Sequence, residues 1–215
     1  MIDNEETQKN EEQKKPVIWN IPNILTFSRM LIVPVFVALF YVNFTGHFFV
    51  CFGLFVLASV TDLLDGAIAR KHNLVANLGK FLDPIADKVL VLTGLVLLLT
   101  APQFFNHYLG DRMIIFAGCG VAIIVARELI VSGFRMVAAS SGEIIAADRI
   151  GKYKTLSQSF CLGFFLFGEG LRQLAESTFA KVINLIGLSL LGIAIILTIV
   201  SGVNYLVKNI HILKK

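Results

Sequence analysis

The chain has 215 residues, 56% of them hydrophobic and only 16% charged, with a formal net charge of +4 and a mean hydropathy of +0.76. A soluble domain carries about 25% charged residues, so this composition cannot supply a soluble protein's polar shell. The apolar residues instead come in runs long enough to cross a bilayer, which needs about 20 residues in a helix.

Residues 1–15 are polar, charge-rich and without hydrophobic periodicity, which predicts a disordered tail. They lack the basic-then-apolar pattern of a cleaved signal peptide. Pro16 to Pro22 holds Trp19 among apolar neighbours and predicts a short interfacial helix at the membrane surface. Six apolar spans follow, at 24–43, 48–70, 79–101, 112–138, 152–169 and 180–206. The short connections between them predict an all-α architecture, with one six-helix domain in the membrane over residues 16–215. Six spans put both termini on one side. Of the 19 Lys and Arg, all but Arg112, Arg172 and Lys181 fall on or nearer that side, so the positive-inside rule predicts cytoplasmic termini. Topology and anionic headgroups account for the basic balance, and no nucleic-acid-binding pattern is present.

Cys51, Cys119 and Cys161 cannot all pair, and they show no zinc spacing; small side chains in helix packing are expected. His47, His72, His107 and His211 are likewise isolated. Phe48–Phe55 and Phe160–Phe167 read as lipid-facing or packing surface, and Glu169, Arg172 and Glu176 as solvated groups in the outer linker.

One stretch departs from this pattern. Between Thr61 and Val89 the chain places Asp62, Asp65, Asp83 and Asp87 within hydrophobic spans. An ionisable group at membrane depth is costly unless paired, solvated or metal-bound, and like charges repel. Asp62 and Asp65 are three apart and Asp83 and Asp87 four apart, so each pair shares a helix face. Asp62 lies about 12 Å from Arg70 along its helix and Asp87 about 10 Å from Lys80 along the next. Two antiparallel helices thus carry the carboxylates at matching depth. Hard oxygen ligands suit Mg²⁺ or Mn²⁺, and four carboxylates can serve two ions that clamp a phosphoryl group. Gly66, Ala69 and Gly79 would let a ligand approach the helix backbones, or simply let helices pack.

Asp62-x-x-Asp65-Gly66-x-x-Ala69-Arg70, eight residues, then Gly79-x-x-x-Asp83-x-x-x-Asp87 resembles the signature of the CDP-alcohol phosphatidyltransferase family at every defined position. The resemblance implies a six-helix membrane fold, a two-metal site at the cytoplasmic face and a CDP-linked lipid donor. It implies that Asp62, Asp65 and Asp83 ligate metal, and that Asp87 combines metal binding with the general-base role. Asp65, Gly66, Ala69, Arg70 and Gly79 would meet the CDP moiety, with Asn23 and Thr26 on the donor side. Homodimerisation is implied by the family alone.

The acceptor is read from a second group of residues. Arg135, Arg149, Lys152 and Lys154 gather around the linker between the fourth and fifth spans, and Arg127 lies deeper. Such a cluster suits a phosphate-bearing acceptor, although cytoplasmic Lys and Arg also follow from topology alone. Glu128 could order this group or simply neutralise a neighbour. Asn20–Arg29, Asp83–Lys88 and Arg127–Thr155 resemble the branch of the family that makes phosphatidylglycerophosphate from CDP-diacylglycerol and glycerol 3-phosphate. The acceptor phosphate would then meet Arg127, Arg135, Lys152 and Lys154. Two alternatives stay open. One is a sister enzyme with another acceptor, above all phosphatidylglycerol for cardiolipin. The other is a cation transporter, against which stands the absence of inverted repeats or paired broken helices.

Overall fold

The computed structural model describes residues 21–72, 77–101, 104–105, 111–140, 149–175 and 177–209, except for the side chains of 21–27, 29, 62–72, 77–87, 111, 137, 139–140, 149 and 209. Six long helices make up almost all of it: α1 (Ile21–Tyr41), α2 (His47–His72), α3 (Asn77–Leu99), α4 (Asp111–Ser140), α5 (Arg149–Leu174) and α6 (Thr178–Asn209). No strand occurs among the described residues. Each helix covers one of the apolar spans expected from the sequence, to within a few residues at most ends. The exception is the C-terminal end of α5, which runs on to Leu174, past the expected boundary at 169. The polar tail and residues 16–20 lie outside the described residues.

Arg112–Met136 in α4 and Thr178–Lys208 in α6 are each long and apolar enough to cross a bilayer. Apolar sequence also runs through the described parts of α1, α2 and α3, over Met30–Tyr41, His47–Thr61 and Lys88–Leu99. Helix α5 is interrupted by charge, with Lys152, Lys154, Glu169 and Arg172 along its length. Outward faces are apolar: Ile115, Phe116, Leu129 and Ile130 on α4, and Phe179, Ile196, Val203 and Val207 on α6, are all exposed. Surfaces of this composition are stable against lipid rather than water.

The helices α5 and α6 form the most intimate pair, packed as a hairpin. Helix α1 packs on α2 and α3, α5 packs on α2 and α3, and α4 is held by α3 and α6. Between them lies a core rich in phenylalanine. Phe40, Phe48, Phe104 and Phe165 are buried in a chain of ring contacts with centroids 5.2–5.8 Å apart from Phe40 to Phe48, Phe48 to Phe104 and Phe104 to Phe165. Edge-to-face geometry dominates, as the quadrupoles of neighbouring rings favour. Close helix approach also needs small residues, and Gly94 lies directly under the Leu162 side chain.

Hydrogen bonds close one end of the bundle. The turn between α1 and α2 reverses at Gly46, whose φ of +87° lies in the left-handed region that favours glycine. Its N–H donates to Gln173 Oε1 at 3.0 Å, and Gln173 Nε2 lies 3.0 Å from His47 Nδ1. Tyr41 donates its hydroxyl to Thr100 Oγ1 at 3.0 Å, tying α1 to the end of α3. Glu169 sits at this end too. Rather than being solvated, it is fully buried, accepting from Arg172 at 2.8 Å and from Asn184 Nδ2 at 2.9 Å. The extra turns of α5 beyond residue 169 bring the carboxylate inside the hairpin, where α6 supplies the amide. The opposite end, reached by following α2 forward and α3 back, carries the aspartates.

Candidate active site

The aspartates are placed by backbone. Asp62 and Asp65 lie in continuous helix in α2, and Asp83 and Asp87 in continuous helix in α3, so the three- and four-residue spacings put each pair on one face. Two consecutive helices therefore carry the four aspartate positions on their backbones at the same end of the bundle. A donor set made wholly of carboxylate oxygen is chemically right for Mg²⁺ or Mn²⁺. The side chains of Asp62, Asp65, Asp83 and Asp87 lie outside the described residues, as do those of Asn23, Thr26, Gly66, Ala69, Arg70 and Gly79.

The chain continues directly from Asp87 into a site whose side chains are described. Lys88 projects from α3 to Glu128 on α4, with Nζ 3.0 Å from Oε2 and 2.9 Å from Ser132 Oγ. Glu128 Oε1 receives the buried Lys154 ammonium from α5 and lies 3.4 Å from Arg127 Nη1. One carboxylate thus gathers three cations from three helices. Glu128 and Lys154 are 3% and 2% exposed, so these charges sit in a low-dielectric setting where paired geometry matters far more than at a surface.

Helix α6 completes the arrangement. Arg127 Nη2 donates to Ser201 Oγ at 2.6 Å, and a methyl at Gly202 would stand only 3.2 Å from Arg127 Cγ. The glycine leaves room for the arginine stem. One turn on, the Tyr205 ring lies 5.6 Å from the Arg135 guanidinium carbon, within cation–π range.

Lys88, Arg127, Glu128, Arg135, Lys154 and Tyr205 line a cavity of about 1010 Å³. Its wall at the aspartate end is cationic, with Lys88, Arg127, Arg135, Lys152 and Lys154 around Glu128. Further along α2 and α5 the lining becomes aromatic: Phe52, Phe55, Phe160, Phe164 and Phe167. A space that is cationic at one end and apolar at the other suits an anion attached to, or reacting beside, a hydrocarbon chain.

All four basic residues expected to meet an acceptor phosphate therefore line one cavity. Arg127 and Lys154 converge on Glu128, whereas Arg135 stands over Tyr205 and Lys152 is exposed at the rim. Lys88 was absent from that expectation. The signal was available: it follows Asp87 in a turn of helix already marked by two aspartates. Ser201 and Tyr205 lie in a span without any motif, and only the packing of α6 on α4 reveals them. The phenylalanine stretches divide, with Phe48 and Phe165 in the core and Phe52, Phe160, Phe164 and Phe167 facing the cavity.

Helices throughout the described residues, apolar outer faces and a cavity lined partly by basic side chains are the features of a helical membrane protein. Comparison of the sequence with protein families makes this specific. Residues 19–203 match the family model described as CDP-alcohol phosphatidyltransferase, and the chain belongs to that family. Among its curated relatives, a Bacillus subtilis protein is 34% identical over 213 residues, covering 92% of this chain and 98% of its own length. A Rickettsia typhi protein is 37% identical, covering 86% of this chain and 94% of its own, and a Haemophilus influenzae protein is 35% identical, covering 87% and 92%. All three are named CDP-diacylglycerol–glycerol-3-phosphate 3-phosphatidyltransferase.

Proposed function

We propose that the chain transfers the phosphatidyl group of CDP-diacylglycerol to glycerol 3-phosphate, giving phosphatidylglycerophosphate and CMP. The observation that carries this reading is the convergence of Lys88, Arg127 and Lys154 on a cavity wall that begins one residue after Asp87. The activity in the names of the full-length relatives supports the same reaction.

In this reading the CDP moiety rests against Asn23, Thr26, Asp65, Gly66, Ala69, Arg70 and Gly79. Arg127, Arg135, Lys152 and Lys154 hold the acceptor's phosphate, and Lys88 joins them. Arginine offers a planar fork and lysine a compact charge, and together they fix a phosphate monoester's position and orientation. Asp87 takes the proton from the acceptor hydroxyl. That oxygen forms a bond to the lipid-side phosphorus, and the bond from this phosphorus to the CMP oxygen breaks. Asp62, Asp65, Asp83 and Asp87 would hold two Mg²⁺ or Mn²⁺ ions, which when bound supply charge neutralisation for the phosphoryl oxygens and the leaving group. The aromatic part of the cavity offers hydrocarbon contact near the reacting centre.

The protein is further proposed to cross the membrane six times, with both termini and the active site cytoplasmic, and to work as a homodimer. The exposed apolar faces and the distribution of Lys and Arg support the topology. A CMP-release assay on purified protein with CDP-diacylglycerol and Mg²⁺ or Mn²⁺ tests the reaction. Glycerol 3-phosphate is expected to drive release, while serine, inositol phosphate and phosphatidylglycerol are not. Release driven by phosphatidylglycerol instead would assign the chain to cardiolipin synthesis.

A further inference from the structure

The carboxylate at the centre of the cationic wall has no part in the reaction as written above, yet it meets three basic side chains. Both oxygens of Glu128 are engaged, Oε2 with Lys88 and Oε1 with Arg127 and Lys154. Its partners come from α3, α4 and α5, so no local sequence pattern produces the arrangement. Three cations at this spacing repel one another, and long basic side chains otherwise extend toward water. Lys154 nevertheless stays buried, with Glu128 as its hydrogen-bond partner among the described residues. An ammonium has three N–H donors, of which Glu128 takes one. The others belong to a nitrogen on the cavity wall.

A carboxylate that only neutralised charge for the sake of folding would not need to face a cavity. Glu169 illustrates this at the other end of the bundle: it is equally buried, but it pairs with one arginine and one asparagine and lines no part of the cavity. We infer that Glu128 is a positioning residue for the acceptor site, tying the cationic wall together and holding the Lys154 ammonium on the cavity wall, where its remaining donors meet the acceptor's phosphate. This rests on the proposed transfer to glycerol 3-phosphate. It adds that affinity for the phosphate depends on an anion of the protein itself, which never touches the reacting atoms.

The test compares full-length wild type with Glu128→Gln and Glu128→Asp in mixed micelles, measuring KM for glycerol 3-phosphate, KM for CDP-diacylglycerol and the thermal midpoint. Charge-assisted hydrogen bonds of this kind are worth a factor of about 10 to 100 in binding. Glu128→Gln is therefore expected to raise KM for glycerol 3-phosphate at least about tenfold, with KM for CDP-diacylglycerol within about twofold of wild type. Glu128→Asp, which keeps the anion, is expected to recover a substantial part of that loss. If the glutamine variant does not accumulate, the aspartate variant carries the test through the same split between the two KM values. Unchanged KM for glycerol 3-phosphate, or a parallel rise in both KM values together with a lower midpoint, would overturn the positioning role. Failure of the wild type to release CMP with glycerol 3-phosphate would instead overturn the underlying reaction.

Discussion

Two buried glutamates, one near each end of the bundle, show how the same residue type serves different ends. Glu169 is closed in by Arg172 and Asn184 within a single helical hairpin, a local arrangement in which one carboxylate meets one cation. Glu128 instead draws cations from three helices onto the wall of a 1010 Å³ cavity. Burial is nearly identical, at 0% and 3% exposure, so burial does not distinguish a structural pair from a binding site. The number of cations collected, the number of helices they come from and the presence of a cavity do. Basic side chains gathered beside a cavity are placed to gain further when a ligand of opposite charge arrives.

The comparison can be broken or sharpened by substitution. The largest effect is expected beside the Glu128 cluster, at Asp87. Asp87→Asn removes the proposed base and should lower the rate of CMP release by about 10² to 10⁴-fold, the range for a general base, in protein that still elutes as a folded species. Near-normal turnover would remove the base assignment. Next comes Lys154→Gln, which takes away a buried donor while leaving Glu128 two other cations. KM for glycerol 3-phosphate should rise about 10- to 100-fold, with little change in KM for the lipid donor.

Glu169→Gln should do the reverse. It breaks an ion pair whose arginine is still partly solvated, so a loss of about 1–3 kcal/mol in stability is expected, read as a lower thermal midpoint with both KM values unchanged. A selective rise in the acceptor KM there would erase the distinction between the two ends. The smallest effect is expected from Gly202→Ala, whose methyl would press on the Arg127 stem. A shift of that side chain costing about 1 kcal/mol would raise the acceptor KM about fivefold.

Much of this was legible before any coordinates. Long apolar runs located the six helices because a chain in lipid must satisfy its backbone polar groups within each segment. The depth of Arg127 marked it as more than a topological anchor, and Arg135, Lys152 and Lys154 came with it. What could not be read was pairing between helices. The local sequence around Glu128 shows only an Arg127 beside it; Lys88 and Lys154 reach it through the packing of α3, α4 and α5. Glu169 was placed in solvent because apolar periodicity weakens after Phe167, whereas α5 continues to Leu174 and Asn184 on α6 meets the carboxylate inside the hairpin. Tyr205 and Ser201 carried no signal at all, since an aromatic and a small hydroxyl residue in an apolar helix are ordinary.

The central claim is that the cationic wall reads a phosphate on the acceptor. It is tested most directly by comparing glycerol 3-phosphate with glycerol as acceptors for CMP release from CDP-diacylglycerol, in the wild type and in Lys154→Gln. The account predicts release with glycerol 3-phosphate, little with glycerol, and a smaller ratio between them in the variant. Equal release with the two acceptors in the wild type, or a ratio untouched by the loss of Lys154, would contradict it.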